Sequence, residues 1–410
     1  MKLLHSATRF GSARTVTASV GASSFGVTFC TSESEIPGAL WDACFPPTVE
    51  GRWWYRSLEK CGLEDQFTFF YALIHDGERI VGIAPAFLMR LPLEVVVPDA
   101  LLPVAARLEK VHPSFWRPLA LFLGSPCAEE GRIGLLPGIE RKPALLATQR
   151  AVETKARELG ASMIVWKDFA GSLAADLTWL TSQCRLFRTS SFPGTVVPLA
   201  GTKADYFATL SSSRRQRLKR RLRRSADRIA VEVETVQRPD GQMLDEIFGL
   251  FWQVYEKGKT KFERLNRRFF DLVAECPASR FIILRERQSR KMVAFMLCFV
   301  MADRVINKFI GLDCRRPRNL FLNERLWDAA VDWAIAGEVP AIQSGQTGYA
   351  GKLMTGHSLV PLYNFCHQRN IFVHAIYRLV GQTISWENLD DELATAIKAH
   401  PEISKAQIPT

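Results

Sequence analysis

The chain has 410 residues and a formal net charge of +11, with 47% hydrophobic and 23% charged residues. This length favours two or three domains, and this composition excludes an intrinsically disordered chain. The longest nearly apolar stretch, 292–302, is much shorter than the roughly 20 residues that a membrane-spanning helix requires. We therefore expect a soluble, cytoplasmic protein whose positive charge favours an anionic partner, with a peripheral membrane contact left open.

The nine cysteines are scattered, and none forms a CxxC pair or a cluster with histidine. This spacing indicates neither a disulfide framework nor a zinc site. Free thiols are typical of a reducing cytoplasm. The sequence therefore predicts no metal.

The first half of the chain predicts a tail followed by an α/β unit. Residues 1–24 contain no acidic residue and are rich in small polar residues, which indicates a flexible tail. From residue 91 to residue 130 the chain is rich in proline and aromatic residues, and we expect loops over a groove. The other predicted elements are a strand at 25–30, a helix from 52, strands at 69–74 and 79–89, a helix at 145–159, and strands at 163–167 and 195–199.

The second half repeats this order of elements. A helix from 267, strands at 280–285, 292–301 and 305–312, a helix at 320–336 and a strand from 341 follow each other at similar spacing. We interpret the two halves as a duplication. The predicted fold is α/β (α+β), with two tandem domains, each a mixed, mostly antiparallel sheet flanked by helices. The predicted boundaries are 25–200 and 201–385, with a C-terminal tail at 386–410.

The strongest bias in composition lies in a predicted basic helix at 213–228. Nine Lys or Arg and one acidic residue occur between Arg214 and Arg228. The apolar positions Leu218, Leu222, Ala226 and Ile229 predict one buried face, and Ser213 with Gln216 predicts a capping box. Positive charges in the first turn oppose the helix dipole unless an anion binds there. A solvated face remains the alternative; the predicted anion ligands are Arg214, Arg215, Arg220, Arg221 and Arg224.

A second basic segment, 314–319, lies between a predicted strand and a predicted helix. Cationic side chains and free backbone N–H groups at a helix N-terminus are suited to phosphate. The predicted phosphate ligands are Arg315, Arg316, Arg318 and Asn319.

The segment 343–352 follows the next strand and contains three glycines, which permit close approach of the backbone to a ligand. A plain turn is the alternative interpretation. We expect Gly345 and Gly348 to contact a substrate or anion. The sequence offers no G-x-S-x-G motif and no usefully spaced pair of carboxylates.

These features resemble the FemAB-like and BioF2-like (CelD-type) branch of the GNAT acyltransferase superfamily. The resemblance extends from about residue 36 to residue 368 and is strongest at 205–228 and 279–367. The late loop of that branch is matched at Gly345, Gly348, Lys352, Gly356, Pro361 and His367. The chain departs from the branch at Tyr349 and Ala350, where Glu and His are expected, it inserts Gly351, and it has Thr355 and His357 in place of Arg and Phe.

The resemblance implies two GNAT folds in tandem and an N-acyltransferase that moves an acyl or aminoacyl group to an amine. The donor it implies is a coenzyme A thioester, with aminoacyl-tRNA and cell-envelope precursors as the alternative. A non-catalytic protein that binds RNA or another anion is the third interpretation. In the enzyme, Lys352 would stabilise charge on the substrate or oxyanion, Tyr349 or Tyr363 would act as general acid, and His367 would act as base.

Overall fold

Two mixed sheets, each flanked by helices, form the body of the protein. The computed structural model describes residues 16–17, 25–46, 50–91, 117–258 and 263–403. The predicted N-terminal tail lies outside these residues, except for 16–17, which form a two-residue strand. Part of the predicted groove loops, 92–116, also lies outside them.

The first sheet has nine strands in the order β1-β2-β3-β4-β5-β7-β16-β8, with β6 paired to β4. Strands β5 and β7 are parallel, and the other pairs are antiparallel. The strands are β1 (Val16–Thr17), β2 (Phe25–Cys30), β3 (Thr68–Asp76), β4 (Arg79–Arg90), β5 (Leu119–Leu123), β6 (Gly134–Leu135), β7 (Met163–Phe169), β8 (Phe187–Ser190) and β16 (Tyr363–Gln368).

The second sheet has seven strands in the order β10-β11-β12-β13-β14-β9-β15. Its single parallel pair is β13 with β14. The strands are β9 (Gly194–Pro198), β10 (Val231–Val236), β11 (Ser279–Glu286), β12 (Met292–Val300), β13 (Val305–Leu312), β14 (Ala341–Ser344) and β15 (Ser358–Val360).

Strand order confirms the duplicated fold. Beginning with β2 in one sheet and β10 in the other, each copy has seven strands. The first four pair antiparallel in succession, the fourth pairs in parallel with the fifth, and the last two are antiparallel. One strand of each copy is exchanged, because β9 pairs with β14 and β16 pairs with β7. The prediction that 195–199 closes the first half was therefore wrong. A cut near residue 200 does not separate the two sheets, and the domain boundaries stay a prediction.

Thirteen helices among the described residues flank the sheets. Several helices begin at a residue whose side chain caps the N-terminus. Asp240, for example, accepts a hydrogen bond from Met243 N, and Asn266 accepts one from Phe269 N. The helices are α1 (Gly38–Cys44), α2 (Arg52–Lys60), α3 (Arg141–Glu158), α4 (Gly171–Gln183), α5 (Lys203–Thr209), α6 (Ser212–Arg228), α7 (Gly241–Lys257), α8 (Arg267–Ala274), α9 (Leu322–Ala336), α10 (Tyr349–Met354), α11 (Ile371–Thr383), α12 (Trp386–Leu389) and α13 (Asp391–Ala399).

The basic helix α6 exists, but its cap and its buried face differ from the prediction. Ser211, not Ser213, is the N-cap, and its side chain accepts from Arg214 N. Ser225 is buried and Ala226 is exposed. Ser225 Oγ donates to Leu320 O at 2.6 Å. A hydrogen bond from Ser225 therefore stabilises the buried face of α6, where the apolar pattern predicted Ala226.

Three other parts of the prediction need correction. Strand β5 lies within 91–130, where we expected only loops, and the edge strand β10 was missed. The segment 386–399 forms α12 and α13 and is not a tail. It is ordered because Trp386, Leu393 and Ile397 are buried against α10.

Aromatic residues from both halves share one core. Helices α2 and α8, which occupy the same place in the two copies, contact each other. Trp54 of α2 lies 5.8 Å from Phe269 of α8, centroid to centroid, and Trp53 lies 5.2 Å from Phe299 of β12. This shared core fixes one sheet against the other, so residues of both can form a common site.

Candidate functional site

A cavity of about 1060 Å³ lies between the two halves. It begins where β13 and β14 part. Their parallel pairing ends at Asn307 and Ser344, whereas β13 continues to Leu312. Within the described residues, no strand pairs with β13 on that side beyond Asn307. Backbone groups of β13 thus face the cavity, beside the N-terminus of α9.

Buried charges from the two halves meet at the centre of the cavity. Lys308 Nζ donates to Glu129 Oε1 at 2.9 Å and lies 3.8 Å from Glu50 Oε1. The ammonium also lies 4.8 Å from the ring centroid of Trp54. Burial lowers the pKa of Lys308, but Glu129 and Glu50 outweigh burial and raise it. Burial raises the pKa of Glu129, and Lys308 opposes that shift. We infer a charged Lys308 held by carboxylates of the first half.

Lys352 of α10 lies at the same centre. Its Nζ donates to Gly345 O, and it lies 5.9 Å from the ring centroid of Tyr349. Burial lowers the pKa of Lys352 to about 8, and Glu129 and Glu392 partly oppose the shift. At neutral pH the side chain is therefore a cation that no carboxylate of the described residues contacts directly, and it can donate to a ligand.

A hydrogen-bonded chain of neutral groups borders Lys352. His357 Nδ1 lies 3.0 Å from Lys352 O, and His357 Nε2 lies 3.1 Å from Ser344 Oγ. Because a carbonyl oxygen only accepts, Nδ1 carries the proton and Nε2 accepts from the Ser344 hydroxyl. Asn307 Nδ2 donates to the same hydroxyl at 3.2 Å. Burial and the charge of Lys352 lower the pKa of His357 to about 3, so the ring stays neutral.

The end of β7 adds a second ion pair to the cavity wall. Lys167 Nζ is paired with Asp168, and Ser191 Oγ donates to Asp168 Oδ1 at 2.5 Å. Asp168 has a left-handed backbone with φ of 62°, and Asn364 Oδ1 accepts from its N–H at 2.8 Å. Burial lowers the pKa of Lys167, but Asp168 and Glu263 outweigh it and raise the pKa.

The predicted phosphate ligands are distributed around one end of the cavity. Arg318 is exposed, lines the cavity and has no ion-pair partner among the described residues. Arg316 also lines it, but donates to both carboxylate oxygens of Glu286 at 3.0 and 2.9 Å. Arg315 lies outside the lining, 80% exposed, and is paired with Asp313. Asn319 is also outside it, and its carbonyl accepts from Arg228.

Three predicted catalytic side chains do not line the cavity. Tyr349 is fully buried, and its hydroxyl donates to Pro193 O at 2.9 Å. Tyr363 lies on the first sheet, where the guanidinium of Arg188 covers its ring at 4.9 Å. His367 Nδ1 is 2.8 Å from Arg185 O. Because each side chain is held away from the cavity, we assign none of them to the site and keep Lys352.

The predicted glycines differ in what surrounds them. A Cβ added to Gly345 would meet Glu129 Oε2 at 3.4 Å. Gly345 therefore lets the first-half carboxylate approach the end of β14. Gly348 has φ of 67°, a left-handed conformation that begins α10. Both glycines line the cavity.

The predicted anion ligands of α6 do not line the cavity, although Arg221 contacts Glu324, which does. Arg221 Nη1 is paired with Glu324 Oε1 at 2.6 Å, and Arg215 donates to Phe207 O at 3.4 Å, so both contribute to packing. Arg214 is half-buried, and Arg220 and Arg224 face solvent.

Sequence reasoning missed most of the central charges. One signal was available for Lys308, which is the only charged residue in the strand VINKFIGL and therefore needs a buried partner. No comparable signal marked Glu129, because its proximity to the second sheet depends on the packing of the two copies.

The described part of the chain contains no group of three or more His, Cys, Asp and Glu residues arranged to hold a metal ion. In the same residues, every helix is too short or too polar to cross a bilayer.

Comparisons with known proteins agree with this architecture. Residues 201–387 match the FemAB-like family, described as peptidoglycan biosynthesis/recognition. No match was found among the curated proteins. The solved structure of FemX is similar over 86% of this chain and 98% of its own, with 10% identity and a TM-score of 0.53.

Two further solved structures show weaker likeness. L-PGS from Bacillus licheniformis is similar over 64% of this chain and 83% of its own, with 12% identity and a TM-score of 0.44. A tandem GNAT protein from the clavulanic acid biosynthesis pathway is similar over 74% and 84%, with 10% identity and a TM-score of 0.43. The likeness to FemX is one of fold, and the family match confirms the resemblance inferred from the sequence. Residues 201–387 therefore resemble the FemAB-like family, in a chain whose two tandem sheets are similar in fold to FemX.

Proposed function

We propose that the protein transfers an acyl group from a coenzyme A thioester to an amine in the cavity between the two sheets. The parting of β13 and β14 carries this proposal. It exposes the edge of β13 to a ligand beside the N-terminus of α9 and beside Arg318. A diphosphate at that end would bind to Arg318 and to the free N–H groups of the helix.

The reaction needs stabilisation of an oxyanion more than it needs a strong base. The amine nitrogen attacks the thioester carbonyl carbon, and electron density moves to the oxygen. The C–S bond then breaks as the carbonyl re-forms, and the leaving thiolate takes up the proton that the amine gives up. The charged Lys352 is the proposed donor to the oxyanion, and it is held by Gly345 O until substrate binds.

The neutral chain of Asn307, Ser344 and His357 has a positioning role in this proposal. It links β13, the end of β14 and the backbone of Lys352. All three groups are hydrogen-bonded and uncharged. They therefore fix the backbone of Lys352 without competing with its ammonium group for the oxyanion.

Calorimetric titration with coenzyme A tests the donor. Arg318→Ala should weaken binding about tenfold or more, because one hydrogen bond from a charged group contributes about 1.5–3 kcal/mol. Arg315→Ala is the matched control, since it removes an arginine of the same loop that lies outside the cavity. Equal affinity in the wild type and both variants, or no heat with coenzyme A, would contradict the thioester donor.

One observation favours aminoacyl-tRNA as a second candidate donor. Helix α6 presents Arg217, Arg220, Arg223 and Arg224 to solvent, and its Ser225 donates to Leu320 O, two residues after the cavity-lining Arg318. Such a row of exposed arginines can bind a nucleic-acid backbone.

The tRNA candidate has its own test. Arg220→Ser with Arg224→Ser should weaken tRNA binding and reduce the slope of its affinity against salt concentration by about two. The control is Arg79→Ser with Arg90→Ser, two exposed arginines on the first sheet. If both double variants bind tRNA like the wild type, α6 is a solvated face.

A further inference from the structure

The cavity has an apolar arm that reaches under the first sheet, away from the cluster around Lys352. Its floor is a row of side chains that lie side by side across four adjacent strands. Phe122 of β5 is paired with Val165 of β7, Val165 with Cys366 of β16, and Cys366 with Phe187 of β8. All four residues are buried, and all four line the cavity.

Helix α11 covers this row from one side. A Cβ added to Gly381 would meet the Phe187 ring at 3.0 Å, so the helix touches β8 at this glycine. Thr189 Oγ1 fixes the contact by donating to Gly381 O at 3.1 Å. The inner side of α11 contributes Tyr377 and Val380 to the cavity wall. Its outer side is apolar as well, with Leu379 67% exposed.

The arm is continuous with the charged centre along β7. Side chains alternate along a strand, so Met163, Val165 and Lys167 lie on one face of β7. All three line the cavity. Among the described residues, a chain that leaves the centre beside Lys167 and follows this face of β7 meets Val165 and then Met163. The arm also receives Leu91 and Leu265, both buried.

Protein interiors are normally packed as densely as organic crystals. The row of Phe122, Val165, Cys366 and Phe187 offers water no side-chain oxygen or nitrogen, so this part of the wall favours an apolar ligand over water. A hydrocarbon chain gains free energy there with every methylene that it buries. The small side chains Val165 and Cys366 in the middle of the row leave room for such a chain between two phenylalanines.

We propose that this apolar arm holds the hydrocarbon chain of a long-chain acyl donor, and the assignment rests on the proposed acyl transfer. With the phosphates at Arg318 and the thioester carbonyl at Lys352, the acyl chain continues past Lys167 into the arm. The donor is then a long-chain acyl thioester, and acetyl thioesters leave the arm empty.

The test compares acetyl-, octanoyl- and dodecanoyl-coenzyme A by calorimetric titration below their micellar concentrations. Affinity should rise about fourfold for each methylene that enters the arm. Val380→Trp, which fills the arm from α11, should abolish this rise and leave acetyl-coenzyme A binding unchanged. Leu379→Trp is the matched control, because its side chain lies on the outer face of the same helix. It should behave like the wild type.

Two further ligands separate the alternatives. Dodecanoate alone should bind to the wild type and to Leu379→Trp, and more weakly to Val380→Trp. If it does so while no thioester is turned over, the proposed acyl transfer fails and the hydrocarbon site stands. If dodecylamine, and not dodecanoyl-coenzyme A, shows the dependence on Val380, the chain belongs to the acceptor and the donor assignment is overturned. Affinity that is independent of chain length in all three proteins would overturn the arm itself.

Discussion

The two copies of the fold differ at the end of their parallel strand pair, which is open in one copy and filled in the other. In each sheet the first strand of the parallel pair is followed by a loop and a helix that lead to the second strand. In the second sheet β13 and β14 part after Asn307 and leave a cleft. In the first sheet the loop after β5 returns to the end of β7, where Gly131 N donates to Asp168 O at 2.8 Å. The corresponding place is therefore filled by the chain itself.

The filled cleft gives the first copy a different task. The same loop carries Glu129, two residues before Gly131, and Glu129 contacts Lys308 and lies next to Gly345. The face of the first sheet beside β7 forms the apolar arm. The first copy therefore has no open cleft at this place among its described residues. That copy now supplies a wall and a carboxylate to the cleft of the other.

The largest expected effect comes from the ion pair that joins the copies. Lys308→Met should lower the free energy of unfolding by about 3–5 kcal/mol, because it leaves Glu129 and Glu50 buried near each other without a cation. Urea denaturation measures this loss. Adding Glu129→Gln should recover much of it.

Lys203→Met is the control for the loss of a lysine from an ion pair near the surface. Lys203 contacts Asp328 and Asp332 at 2.8 and 2.7 Å and is 34% exposed, so its loss should cost about 1 kcal/mol or less. If Lys308→Met costs no more than Lys203→Met, the contact between the copies is not a buried charge pair.

The next largest effect should be on turnover and not on stability. Lys352→Met should lower kcat about 10²–10³-fold, since it removes the proposed donor to the oxyanion. The melting temperature should change little, because the lost group is a cation whose burial is unfavourable. Steady-state kinetics with an acyl thioester and calorimetric unfolding provide the two measurements.

Lys60→Met, at an exposed helix end in the first half, controls for the loss of a lysine. A large fall in melting temperature with near-normal turnover would make Lys352 a structural residue.

Much of this comparison could be predicted from the sequence, and the reason is local. Strands β11 to β13 alternate with short polar turns, and α9 has a clear apolar period, so order and type of element follow from the pattern. The exchange of β9 and β16 could not be predicted, since strand propensity does not specify a partner. Lys352 was found from its motif, whereas Glu129, which contacts Lys308 only through the packing of the two copies, was not.

Two glycine substitutions sharpen the contrast between the filled and the open cleft. Gly131→Ala should cost about 1–3 kcal/mol, because the new Cβ would lie 2.2 Å from Lys167 O and 2.6 Å from the Phe169 ring. Gly345→Ala, at the end of β14, would place its Cβ 3.4 Å from a carboxylate oxygen of Glu129, a contact that a small shift relieves. Its free energy of unfolding should therefore change by well under 1 kcal/mol. Equal costs at the two glycines, measured by urea denaturation, would remove the distinction.

The dependence on pH should separate activity from stability. The pKa of Lys352 is lowered from 10.5 to about 8, chiefly by burial. If its charged form stabilises the oxyanion, kcat at saturating acceptor should fall about tenfold for each pH unit above that pKa. Lys352→Arg keeps its charge to a much higher pH, so its profile should lack this decline.

Stability should change in the opposite direction over the same range. Between pH 8 and pH 10 the unfolded chain keeps the proton on Lys352, whereas the folded chain has lost it. The unfolded state then binds more protons, so the contribution of Lys352 to the free energy of unfolding rises with pH. A fall in kcat while this contribution grows cannot result from unfolding. The contribution of Lys352 is obtained by subtracting the pH profile of the unfolding free energy of Lys352→Met from that of the wild type. If kcat instead rises through pH 10 in the wild type and not in Lys352→Arg, Lys352 acts as a neutral proton acceptor.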